Sequence, residues 1–190
     1  MRQIRAFVAV QISPPVRDRA KKLIELLQVT EAKVKWVEPQ NLHLTLKFLG
    51  DVESVELPRI CKAVATAVAD LAPFEILVSQ AGAFPTVERP RTVWLGVSQG
   101  QDQMVQLHQR VEQALSPLGF RQEQRRFRPH LTLGRVRQSP YGIPELGELL
   151  RQHRDYEGGS MFVSDVVVVS SELSRAGPVY EPLATIDLAG

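Results

Sequence analysis

Apolar positions along this chain follow two rhythms, every second residue in some segments and every third or fourth in others; the first predicts strands and the second helices. Ile4 to Ile12 is β-rich, and Ser13-Pro14 then offers an N-cap and a first-turn proline to a helix with Val16, Ala20, Leu23, Ile24 and Leu27 along one stripe. Val34 to Val37 reads as a short strand and, beyond the Glu38 to Asn41 turn, Leu42 to Leu49 as a longer alternating one. The spacing predicts a helix from about Val55 to Leu71, closed by Pro73. Phe74 to Ala83 and Thr92 to Val97 read as two antiparallel strands, Asp102 to Leu115 as a third helix, Arg128 to Arg137 as a strand and Ile143 to Arg151 as a shorter helix. Phe162 to Ser174 and Glu181 to Leu188, across Ala176-Gly177-Pro178, resemble a closing hairpin. Strands and helices thus alternate without long linkers, which predicts an α+β architecture with mostly antiparallel pairing.

Composition narrows the class. The 190 residues suffice for one compact domain or two intimately packed lobes. Lys plus Arg at 23 against Asp plus Glu at 21 leaves a net charge of +2, so the chain is no histone-like polyelectrolyte and any nucleic-acid affinity must be local. The single cysteine, Cys61, excludes an internal disulfide framework and a Cys-based zinc site, and a lone thiol suits a reducing compartment, so a cytoplasmic location is expected. The densest apolar run, Val166 to Val169, falls far short of the roughly 18 residues of a spanning helix, and the N-terminal apolar run is too short for a signal-peptide core. A soluble protein is expected.

An internal repeat changes the picture most. His43-Leu44-Thr45-Leu46 recurs as His130-Leu131-Thr132-Leu133, once in each half. With Leu at 22 and Thr at 7 of 190 residues, another histidine would be followed by Leu-Thr-Leu with a probability of only about 0.0005. Duplicated packing strands would account for the leucines alone. In a regular strand His43, Thr45 and Lys47 share one face, and Leu42, Leu44, Leu46 and Phe48 the other. Arg128, His130 and Thr132 likewise share a face in the second copy. If the halves pack about a pseudo-twofold axis, the two polar faces meet across a groove with one histidine on either side of a bound group. Two imidazoles so placed suit metal-free hydrolysis of a phosphodiester: one neutral ring takes a proton from water and the other gives one to the leaving oxygen. The threonine hydroxyls can donate to nonbridging phosphoryl oxygens. The residues alone leave open which histidine plays which part.

At these motifs the chain resembles the 2H phosphoesterases and, within them, the RNA 2′,3′-cyclic phosphodiesterases, also called 2′-5′ RNA ligases (ThpR/LigT type). Arg5-Ala6-Phe7-Val8-Ala9, Trp36-Val37, Asn41 to Gly50, Arg128 to Arg135 and Gly177-Pro178-Val179-Tyr180 all carry the likeness. The resemblance implies a bilobal pseudo-twofold fold around a central cleft, with residues 1–190 forming one domain of two intertwined lobes, one motif each. It implies metal-independent opening of an RNA 2′,3′-cyclic phosphate to a 2′-phosphomonoester without a cofactor, with His43 as proton donor to the 3′ oxygen and His130 as acceptor from water. Thr45, Thr132 and Arg135 are then the substrate-binding residues. Reversible 2′-5′ RNA joining is a secondary activity. The expected partner is RNA with 2′,3′-cyclic phosphate termini, tRNA fragments being one candidate, with no membrane and no obligate protein partner, the protein acting as a monomer.

Other residues are weighed against that reading. Arg121 to Arg137 holds six arginines and one glutamate, which could follow an RNA backbone or form a solvated edge. Arg135 has the wrong parity for the polar face, so a bulge, for which Gly134 is suited, must redirect it. Lys47 has the right parity but also suits a solubilising strand edge, and Phe48 reads as core. His108 falls on or beside the third helix's apolar stripe, and His153 ends a helix, where positive charge is favourable. No His or Cys cluster supplies zinc ligands, and no Gly-rich phosphate loop precedes Lys-Ser or Lys-Thr. The competing class is a noncatalytic RNA-end-binding module; the two histidines argue against it, because Arg or Lys would serve binding at least as well.

Overall fold

Strand β1 (Gln3–Gln11) sends Ala6, Val8 and Val10 into the main core and Phe7 and Ala9 into a smaller cluster on the opposite face, as a two-residue period requires. In this computed structural model residues 3–28, 32–137, 143–175 and 177–190 are described. Helix α1 (Pro14–Leu27) starts on two prolines whose fixed φ suits a first turn; the Ser13 hydroxyl makes no capping bond and is buried without a partner. The short β2 (Val34–Trp36) and a 3₁₀ turn at Pro39–Asn41 lead into β3 (His43–Glu53). Then come α2 (Leu57–Val68), the hairpin β4 (Phe74–Pro85) and β5 (Pro90–Gln99), and α3 (Gln101–Leu115). The second motif opens β6 (His130–Val136), followed by α4 (Pro144–Gln152), β7 (Glu157–Val163), β8 (Asp165–Ser174) and β9 (Gly177–Asp187).

All strands join one antiparallel sheet in the order β7-β4-β5-β6-β3-β1-β8-β9, with β2 added beside β6. The order is symmetric about its middle. Outward from β3 run β1, β8 and β9, and outward from β6 run β5, β4 and β7. In sequence, β1-α1-β3-α2 is matched by β5-α3-β6-α4. The helices cross over: α1 packs on β7 and α4 of the opposite half, and α3 on β3 and α2. This is a bilobal α+β fold with a pseudo-twofold axis between the two motif strands. Val166 to Val169 alternates between the main core and the small opposite cluster, so β8 is apolar on both faces.

One expected element is corrected. Phe162 to Ser174 is not a single strand: it divides at Ser164 into β7, which pairs with β4 at one edge of the sheet, and β8, which pairs with β1 and β9 in the other half. The chain changes lobes there, and an apolar run that continues across the crossover carries no mark of it. Of the expected final turn, Ala176 lies outside the described residues. Among the described residues no helix is long and apolar enough to cross a membrane.

Candidate active site

The motif strands meet at one pair, Leu44 opposite Leu131. Both leucines are buried in the main core, so the flanking His43, Thr45, His130 and Thr132 stand on the opposite, partly open face. Continuing the antiparallel register one step each way sets His43 across from Thr132 and Thr45 across from His130. Each imidazole therefore faces the hydroxyl of the other copy about the Leu44–Leu131 pair, a cross-strand separation of roughly 5 Å between Cβ atoms.

Past the threonines both strands bulge at the same place. The partner of β1 steps from Thr45 to Lys47 as β1 moves from Ala9 to Val8, leaving Leu46 as the extra residue. The partner of β5 steps from Thr132 to Gly134 as β5 moves from Trp94 to Val93, leaving Leu133 extra. Each bulge follows its histidine by three positions and reverses the alternation. Lys47 is therefore not on the polar face: it is 4% exposed and paired with Glu112 at 2.8 Å. Phe48 is not core: it is 59% exposed, 6.2 Å from the Phe7 ring. Arg135, at Phe48's equivalent position, comes to the face of His130 as the bulge argument required. The bulge carbonyls are tied down from outside the motifs: Leu46 O accepts from His108 Nδ1–H at 2.9 Å, and Leu133 O from the Val37 N–H at 2.8 Å. Gly134 has no room for a side chain, since a Cβ there would stand 2.8 Å from the Trp36 ring of β2.

The two rings are held alike. His43 Nδ1–H donates to the Asn41 carbonyl and His130 Nδ1–H to the Arg128 carbonyl, each at 2.7 Å. A carbonyl only accepts, so the neutral ring keeps its proton on Nδ1 and presents Nε2 as the free base. Asn41 is itself fixed by its side-chain amide, which donates to Pro178 O at 2.9 Å. Burial pulls both imidazoles below their ordinary value of 6.5, against the opposing effect of those carbonyl bonds. His130 is lowered further by the positive charges of Arg135 and Arg128. Around His43 stand Phe7, stacked at 4.7 Å, and Tyr180, edge-on at 5.4 Å. Around His130 stand Phe84, edge-on at 5.0 Å, and the Arg128 guanidinium, 5.0 Å above the Phe84 ring and 5.9 Å from that of Trp94. Burial raises the Tyr180 hydroxyl, opposed by the charges of Arg135 and Arg5, so Arg135 acts on both halves of the site.

The fold thus brings together His43, Thr45, His130, Thr132 and Arg135. It adds Phe7, Tyr180, Phe84 and Trp94; Phe7 and Tyr180 lie within the stretches that carry the family likeness, and nothing in the sequence pattern marks Phe84 or Trp94 as site residues. His108, on the apolar stripe of α3, is a buried strut, and His153 ends α4 with its N–H on the Leu149 carbonyl. Among the described residues no three His, Cys, Asp or Glu side chains gather as a metal site would need.

A family model of the 2′-5′ RNA ligase superfamily matches residues 8–174. The chain is 40% identical over 186 residues to an RNA 2′,3′-cyclic phosphodiesterase of Methanothermobacter thermautotrophicus, covering 98% of this chain and 100% of that one. It is 33% identical over 191 residues to one of Aquifex aeolicus, covering 100% of both. Among solved structures, TT0787 of Thermus thermophilus superposes with a TM-score of 0.82 at 26% identity over 98% of this chain and 99% of that one. Escherichia coli LigT complexed with 3′-AMP does so with 0.81 at 24% identity over 100% of each, a likeness of fold.

Proposed function

The chain belongs to the 2′-5′ RNA ligase superfamily, and from that premise we propose that it is a cytoplasmic RNA 2′,3′-cyclic phosphodiesterase in which residues 1–190 act as one domain and the two histidines as an acid and a base. The observation that carries the reading is the shared face of the two His-x-Thr pairs, with each Nδ1 committed to a carbonyl so that each Nε2 is left for the substrate.

The cyclic phosphate lies between the strands, its nonbridging oxygens accepting from the Thr45 and Thr132 hydroxyls, donors fixed before the reaction begins. His130 Nε2 takes a proton from water as the water oxygen bonds to phosphorus; the bond from phosphorus to the 3′ oxygen breaks, and His43 Nε2–H delivers a proton to that oxygen. The product is a 2′-phosphomonoester with a free 3′ hydroxyl, and the histidines have exchanged protonation states. Arg128 and Arg135 support this division, because their charges discourage a proton on His130, while the lowering of His43 comes from burial alone. Arg135 also supplies a cation for the phosphate. If an RNA 5′ hydroxyl replaces water, the same forward steps join ends through a 2′-5′ bond, and their reverse cleaves that bond to restore the cyclic phosphate, the secondary activity. A noncatalytic RNA-end binder would have no use for two rings held in the same tautomer.

The test is incubation of an RNA ending in a 2′,3′-cyclic phosphate with EDTA and without ATP, followed by identification of the product isomer. Opening to the 2′-phosphomonoester is expected. Complete loss on chelation, restored by one divalent ion, refutes the mechanism, and a mainly 3′-phosphorylated product reverses the orientation.

A further inference from the structure

Residues 120–129, between α3 and His130, contain neither helix nor strand, yet three buried side chains hold them in place. Lys47 Nζ donates to Glu112 Oε1 and to the Arg121 carbonyl, each at 2.8 Å. Glu112 Oε2 accepts from the Glu123 N–H at 3.3 Å. The Phe127 ring lies flat on His108, 4.0 Å away and inclined by 7°. His108 and Glu112, one turn apart on α3, are each 5% exposed, and His108 also holds the bulge carbonyl of Leu46. A buried ion pair gives little net stability, since desolvating both charges offsets their attraction; what this one does supply is a fixed path for the segment. Along that path Arg121, Arg125, Arg126 and Arg128 are exposed. Residues 121–128 hold four arginines and one glutamate, a larger positive charge than the net +2 of the whole chain. The run ends at Arg128, whose carbonyl fixes His130.

We propose that residues 121–128 form a preordered basic strap that binds the backbone of the RNA on the 5′ side of its cyclic end, and that Lys47, Glu112 and His108 are positioning residues for it. This rests on the proposed function, which makes the neighbouring polyanion the substrate's own chain. The strap favours long RNA over a cyclic mononucleotide through phosphate contacts, which are sequence-independent and salt-sensitive.

The experiment compares wild type with Arg125→Ala/Arg126→Ala, both exposed positions, in two measurements: anisotropy of a 5′-labelled ten-nucleotide RNA bearing a 2′,3′-cyclic phosphate across a salt series, and the ratio of kcat/KM for that RNA to kcat/KM for adenosine 2′,3′-cyclic phosphate. The double variant should lower that ratio about tenfold and reduce the log-log salt slope of binding by about 1.4, or about 0.7 per lost contact to a single strand. Lys47→Met/Glu112→Leu removes both buried charges together; it should lower the ratio through KM and speed tryptic cleavage within 121–126 with little change in the melting midpoint. Unchanged slope and ratio in the arginine variant overturn the proposal, as does a lysine-glutamate variant that melts earlier yet keeps the ratio. RNA binding with the expected slopes but no turnover of either substrate by wild type would leave the strap standing and refute the function.

Discussion

His43 lies against an apolar floor of Phe7, Ala9, Val167 and Val169, with Tyr180 closing one side and a cavity of only about 80 Å³ beside it. His130, its symmetry mate, borders a cavity of about 270 Å³ lined by Gln80, Phe84, Trp94, Ser98 and Arg128. The backbone devices of the two sites are the same: a carbonyl two residues back on Nδ1, a threonine two residues on, and a bulge at the third. Their surroundings differ in charge and room. Repetition supplies two equivalently held imidazoles; burial lowers both, and only His130 has positive neighbours that add to the lowering, which suits it to the base's part in the proposed mechanism.

Removing either imidazole is the harshest way to break the comparison. His43→Ala and His130→Ala should each lower turnover of the cyclic RNA by roughly 10² to 10⁴ with the circular-dichroism spectrum retained. A folded double variant with wild-type turnover would move the active site elsewhere. Either threonine costs less: Thr45→Ala or Thr132→Ala should lose on the order of 10² in kcat, the cost of one fixed donor to a developing charge. Near-equal losses at the two positions would show that the donors keep the symmetry the imidazoles have lost.

The pH profile sharpens the contrast. In the proposed mechanism the active free enzyme has His130 neutral and His43 protonated, and burial pulls both values below 6.5, so kcat/KM should follow a bell with its maximum on the acid side of pH 6.5, its limbs belonging to the coupled pair. Arg135→Ala removes a positive charge that disfavours the imidazolium of His130; that group's value rises, and the acid limb should move to higher pH. The same variant should weaken substrate use and relax the product isomer ratio, because Phe48 at the equivalent place carries no charge. An unmoved limb would mean that Arg135 does not set the difference between the halves. The smallest effect concerns the floor under His43: Phe7→Leu keeps an apolar side chain but removes the stacking, and should cost about 1 kcal/mol in chemical denaturation.

Much of this site was legible in the chain. A duplicated His-Leu-Thr-Leu fixes the residue types and, through strand alternation, the face they share, because three consecutive strand positions leave no room for ambiguity. The expected elements stand within a few residues of the observed ones wherever apolar period and proline agree, as at α1 and α3. Tertiary structure decided what lies one residue further on. Leu46-Lys47-Phe48 continues the alternation on paper, yet the bulge buries the lysine and exposes the phenylalanine, and the corresponding step at Leu133 brings Arg135 to the cleft. A bulge is a hydrogen-bonding event between segments distant in sequence: here it needs His108 from α3 at one copy and Val37 beside β2 at the other. The lobe change at Ser164 has the same origin, since neighbouring strands are chosen by the pairing of whole sheets and an unbroken apolar run fits both lobes equally. Local sequence determines which way a side chain points within a strand, but only the assembled sheet determines where the count of that alternation restarts.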